Sequence, residues 1–122
     1  PALKEKKIVL CDRFQDSTLV YQGYGLGLDR KIIELLGGFV SEGVMPDLTF
    51  LLDISAEEGL RRAGGASDRI QERPLAYHRR VRNGYLKLAG ANPKRIKLIR
   101  PKDIQKTQEE IRNIFERFNR VI

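Results

Sequence analysis

The chain has 122 residues, a net charge of +7 at pH 7 and 41% hydrophobic residues, which is enough for one domain with a modest core. No apolar run nears the ~20 residues of a membrane span, and no charged-then-apolar signal segment opens the chain. The one cysteine, Cys11, excludes an internal disulfide or Cys-based zinc cluster and favours a reducing, cytoplasmic setting, while the basic balance points to nucleic acid or a phosphorylated small molecule as partner.

Pro1 to Lys7 is polar and basic, and a start at Pro-Ala without Met reads as a cut end. Ile8 to Cys11 is a β-branched apolar run that predicts a buried strand. Asp12-Arg13 stands at its exit, where open α/β sheets bind their ligands. Polar residues follow (Gln15, Asp16, Ser17, Thr18, Tyr21, Gln22), with glycines at 23, 25 and 27. Asp29 suits the cap of a helix carrying Ile32, Ile33, Leu35, Leu36, Phe39 and Val40 at helical spacing. Met45-Pro46 stops it, and Leu48 to Asp53 is a second apolar run ending on an acid.

Ser55 to Glu58 has the pattern of a capping box, opening a short helix that ends near Arg61-Arg62-Ala63. Gly64-Gly65-Ala66-Ser67 reads as a flexible break. Pro74 suits the first turn of another helix, with Tyr77, Val81, Tyr85 and Leu88 along one face. Asn92-Pro93 turns the chain into a third strand, Ile96 to Ile99. Arg100 to Asp103 is a polar loop, and Ile104, Ile111, Ile114, Phe115 and Phe118 mark a last helix. Strands separated by helices predict an α/β fold, a parallel sheet with helices on both faces. Three interior-type strands make a thin sheet that looks incomplete at the N-terminus.

The run VLCDRFQDSTLVYQGYGLGLD resembles the second half of bacterial thymidylate kinases, with a strand-Asp-Arg-aromatic motif followed by S-T-x-x-Y-Q-G. MPDLTFLLDIS resembles the family's next strand, and EEGLRRAGGASDRIQE its lid, at about residues 62–73. The resemblance implies a fold of the P-loop NTPase, nucleotide kinase type. It implies transfer of the γ-phosphoryl group of ATP, with Mg2+, to dTMP. Arg13 would hold the acceptor phosphate, and Asp12 would lie by the Mg2+ and phosphates. Ser17 and Thr18 would reach the thymine edge with Gln22 close by, and Tyr21 would pack by the sugar. Arg62 and Arg69 would belong to the lid over the ATP phosphates, with Arg69 in a catalytic role, and Arg100 would lie near the adenine. The family's helices also imply a homodimer, through the helix from Asp29 to Ser41.

The chain has no G-x-x-x-x-G-K-[ST] loop to cradle ATP phosphates. The resemblance therefore makes residues 1–122 the C-terminal part of a single domain, inactive without its P-loop segment. That segment's strand would lie between the two that residues 8–11 and 48–52 resemble.

Plainer readings stand beside these. Asp12-Arg13 can be a structural ion pair, Ser17 and Thr18 helix caps, Tyr21 core, and Asp53 a cap. Arg61, Arg62 and Arg69 can be a solvated face. His78 reads as a surface histidine, and Tyr77, Tyr85, Phe115 and Phe118 as core. A related deoxynucleoside kinase can also carry Asp-Arg after a strand. A basic nucleic-acid-binding module would use Lys94, Arg95, Lys97, Arg100 and Lys102, although no aromatics interleave with them.

Overall fold

The computed structural model describes residues 1–64 and 69–122. Its sheet is a parallel pair, β1 (Thr49–Leu52) beside β2 (Ile96–Ile99), with Thr49 opposite Ile96 and Leu52 opposite Ile99. The backbone ladder extends past both ends, Thr49 N–H donating to Arg95 O and Asp53 N–H to Ile99 O. Parallel neighbours need a long crossover, and α3 (Ala56–Ala63) and α4 (Leu75–Ala91) lie within it. Helix α5 (Ile104–Val121) follows β2 and packs on it.

The N-terminal half holds α1 (Gln15–Thr18), which continues without a break as a π-helical stretch, Leu19–Gly25, and then α2 (Arg30–Val40). Leu26 N–H donates to Tyr21 O, five residues back, which is the wider π winding. Gly27, at φ +78, follows the end of that stretch. The expected caps form, Asp29 accepting from Lys31 and Ile32 N–H and Ser55 from Glu58 N–H; Asp103, read only as part of a polar loop, also caps its helix by accepting from Lys106 N–H.

The core lies between the π stretch and α4. Val20 is fully buried against Tyr77 and Val81, and Tyr21, Tyr24, Tyr85 and Leu88 pack around them. Two glycines permit this approach. A Cβ on Gly25 would stand 2.6 Å from the Tyr77 ring, and one on Gly84 2.6 Å from Tyr24 Cγ. Arg80 on α4 donates to Gly25 O at 3.1 Å, satisfying a carbonyl of the widened helix.

Several expectations are corrected. Residues 8–11 form no strand: Ile8 is 67% and Leu10 91% exposed, and Cys11 is exposed too. A strand exists only against a partner's hydrogen bonds, and among the described residues β1 and β2 pair only with each other. Among the described residues the sheet is therefore two-stranded where three strands were expected. Ser17 and Thr18 cap nothing, because the helix begins before them with Phe14 at its N-cap. His78 is half-buried rather than fully on the surface, with its Nε2 buried without a hydrogen-bond partner and its ring meeting Tyr77 edge-on. The break at Gly64-Gly65-Ala66-Ser67 falls outside the described residues beyond Gly64, which ends α3 in the left-handed conformation.

Candidate functional site

Asp12 and Arg13 lead into α1 and are both exposed. Arg13 has φ +67, a left-handed backbone that costs a non-glycine residue about 1–3 kcal/mol and clusters at functional sites. Cys11 Sγ lies 3.0 Å from Arg13 O, as donor to it. No described ion pair joins Asp12 to Arg13, so the structural-pair reading fails. The Arg13 guanidinium instead lies over Tyr21, 5.7 Å from the ring centroid.

Tyr21 is the hub. Its ring meets Tyr85 edge-on at 6.2 Å and Tyr77 at a tilt at 6.5 Å. Ser17 Oγ lies 2.9 Å from Tyr85 Oη. Arg13, Ser17 and Tyr21 are thus drawn into one cluster, by Tyr21 on one side and Tyr85 on the other. Thr18 and Gln22 are exposed on the same helical segment. Burial raises the Tyr85 phenol above its ordinary value of 10, opposed by the Ser17 bond.

A second group forms at the end of β1. Arg82 grips Asp53 with two bonds, 2.8 and 2.9 Å. That bond holds the Asp53 carboxyl below its ordinary 3.8, against the opposing effect of burial and with help from the charges of Arg82 and Arg100. Asp53 is therefore an ion-pair partner and not a cap. On α3, Glu58 binds both Arg61 and Arg62, and these bonds lower its carboxyl to about 2. Arg62 is thereby tied to its own helix, while Arg69 and Arg100 are exposed. Of the proposed nucleic-acid cluster, Arg95 pairs with Asp16, Lys97 donates to Pro93 O, and Lys102 faces Glu110. That leaves less charge for a polyanion.

Sequence reasoning missed Arg82, the pairing of Arg95 with Asp16 and the contact role of Tyr85. The Tyr85 signal was present in its place on the buried face of α4. Arg95 and Asp16 stand 79 residues apart, and no local pattern marks such a pair.

Among the described residues no group of three or more His, Cys, Asp or Glu side chains is placed to hold a metal ion. Mg2+ bound with nucleotide phosphates needs only one or two protein carboxylates. The exposed carboxylate of Asp12 fits that donor set.

The thymidylate kinase family profile matches residues 1–111. The thymidylate kinase of Pelotomaculum thermopropionicum is 42% identical over 130 aligned residues, covering 98% of this chain and 60% of that protein. That of Trichlorobacter lovleyi is 47% identical, covering 81% of this chain and 50% of that protein. The crystal structure of thymidylate kinase from Ehrlichia chaffeensis matches with a TM-score of 0.72 and 35% identity, over 93% of this chain and 53% of that one. The chain spans about half to three-fifths of the length of the relatives it matches.

Proposed function

Because the chain belongs to the thymidylate kinase family, we propose that it supplies the dTMP-binding part of a nucleoside monophosphate kinase together with its lid, at about residues 62–73. The reaction moves the γ-phosphoryl group of ATP onto the phosphate of dTMP, giving dTDP and ADP. Phosphoryl transfer is catalysed by alignment and charge stabilisation, which suits a site made of arginines and hydroxyls.

Arg13 grips the dTMP phosphate, since a planar guanidinium can hold two phosphate oxygens at once. Ser17 and Thr18 meet the thymine edge with Gln22 beside them, and Tyr21 lies along the sugar. Arg62 and Arg69 belong to the lid over the ATP phosphates, and Arg100 flanks the adenine. Asp12 would hold the Mg2+ that accompanies the nucleotide phosphates. When bound, the metal neutralises charge on the phosphate oxygens. ATP and dTMP carry a cytoplasmic location with them, and no described helix is long and apolar enough to cross a membrane.

We also propose a homodimer through α2. The apolar stripe of that helix is uncovered, with Phe39 84% and Leu35 74% exposed beside Ile32, Leu36 and Val40. Such a patch exceeds what scattered surface residues explain.

The observation that carries the kinase reading is Arg13, held in a left-handed backbone with its guanidinium over Tyr21. The test is ADP release by the complete gene product with dTMP, thymidine, dAMP or dCMP as acceptor, together with dTMP titration of the 122-residue chain by NMR. Turnover with dTMP far above the others is expected, with shifts at residues 13–22. Preference for thymidine would favour a deoxynucleoside kinase, and neither turnover nor shifts would sink the reading.

A further inference from the structure

Tyr85 stands on α4, 68 residues from Ser17, yet its hydroxyl lies 2.9 Å from Ser17 Oγ. Its ring meets Tyr21 edge-on, with centroids 6.2 Å apart and planes at 81°. The opposing arm of the same cluster is the Arg13 guanidinium over Tyr21. One side chain therefore touches two of the three clustered residues that the proposed nucleotide site uses. It comes from a helix to which the sequence assigned only core packing.

We infer that Tyr85 is a positioning residue of the dTMP site, fixing the Ser17 hydroxyl and the Tyr21 ring in the orientation that the nucleotide meets. The inference rests on the dTMP-binding reading above. A serine hydroxyl has one proton and two lone pairs, so a bond to Tyr85 leaves Ser17 with further capacity. With Tyr85 donating, the Ser17 proton remains free for a carbonyl of a pyrimidine. Without that bond Ser17 samples several staggered rotamers, of which one presents the proton. The edge-on ring contact restrains Tyr21 in the same way. The Tyr85 phenol, raised by burial above its ordinary value of 10, stays protonated through the neutral range and is able to donate. Tyr85 does not itself touch the reacting atoms and acts only through Ser17 and Tyr21.

The experiment compares wild type, Tyr85→Phe, Ser17→Ala and the double variant of the complete gene product, measuring KM for dTMP and for ATP, kcat, and melting temperature. Tyr85→Phe keeps the ring and loses one hydroxyl, so its KM for dTMP should rise about three- to tenfold. KM for ATP should hold, and the melting temperature should stay within a few degrees. Adding Tyr85→Phe to Ser17→Ala should change KM for dTMP no further. An unchanged KM in Tyr85→Phe, an effect that adds in full to Ser17→Ala, or an equal rise in both KM values would overturn the positioning role while leaving dTMP binding intact. A wild type that neither binds nor phosphorylates dTMP would overturn the underlying reading and this inference with it.

Discussion

Asp16 and Arg95 face each other across 79 residues of chain in a two-bond ion pair, Oδ2 to Nη1 at 2.7 Å and Oδ1 to Nη2 at 3.0 Å. Both side chains are less than one-fifth exposed. Arg95 also reaches Thr49 Oγ1, while its carbonyl accepts from Thr49 N–H. One arginine thus joins the first turn of α1 to the start of β1 and β2, and so sets where the Asp12-Arg13 loop stands relative to the sheet.

Breaking that pair from one side should be costly. Asp16→Asn keeps the shape but leaves a poorly paired, largely buried guanidinium, and a loss of about 1–3 kcal/mol is expected. Urea unfolding measures it. Because the two residues act as a unit, Asp16→Asn with Arg95→Met should cost less than the sum of the single changes. A loss under about 0.5 kcal/mol for either single change would make the pair ornamental.

Arg13→Lys should weaken dTMP binding about tenfold or more while leaving the fold intact. Lysine keeps the charge but not the planar two-bond grip. Titration of dTMP against thymidine separates the effects, since thymidine carries no phosphate and should bind both forms alike. Equal weakening for both ligands would remove Arg13 from the phosphate.

The two glycines of α4 should respond in opposite directions. Gly84→Ala sets a Cβ 2.6–2.9 Å from Tyr24 Cγ, Cβ and Cδ2, and should cost about 1–3 kcal/mol. Gly90 has open space around it, so Gly90→Ala should stabilise by about 0.4–1 kcal/mol through the unfolded chain. Thermal and urea unfolding of the pair gives the comparison, and a neutral Gly84→Ala would deny the close approach of α4 to the π stretch.

Stability should fall with acid in a defined window. Asp53 and Glu58 both have carboxyls lowered on folding, so their contribution is present above the ordinary values of 3.8 and 4.5 and is lost as pH falls through the folded values. For Glu58 that loss extends down to about pH 2. Arg82→Met removes the main cause for Asp53, and NMR titration should then find this carboxyl back near its ordinary value. An Asp53 titration unmoved by Arg82→Met would assign the shift elsewhere.

Phe39→Glu should yield monomers in sedimentation equilibrium if α2 is the dimer face, with the circular dichroism of the fold retained. A charge at the centre of a buried apolar patch is strongly disfavoured. Dimers that survive Phe39→Glu would move the interface off α2.

The element pattern was legible wherever a signal is local. Asp29 and Ser55 announced helices because a cap is satisfied within three residues of itself. The spacing of Tyr77, Val81, Tyr85 and Leu88 placed α4 and its inner face correctly, because that period is set by helix geometry alone. The run Ile8, Val9, Leu10 and Cys11 failed for the converse reason. Its composition suits a strand, yet a strand is completed by a neighbour, and none of the described segments provides one. The π winding of Leu19–Gly25 was also invisible, since the residue pattern carries no local mark of a bond from Leu26 N–H to Tyr21 O.

By itself the sequence determined the family, through the fixed spacing of Asp12-Arg13, Ser17-Thr18 and Tyr21-Gln22, and with it the candidate nucleotide-contacting residues. It also determined the helices capped by Asp29 and Ser55, because each cap closes over a few neighbouring residues. Only the tertiary structure decided what those side chains touch. The contacts that organise the site join residues 29 to 79 positions apart, Ser17 with Tyr85, Asp16 with Arg95, and Asp53 with Arg82. Such pairs are made by the path of the chain in space, and no window along the sequence contains both partners.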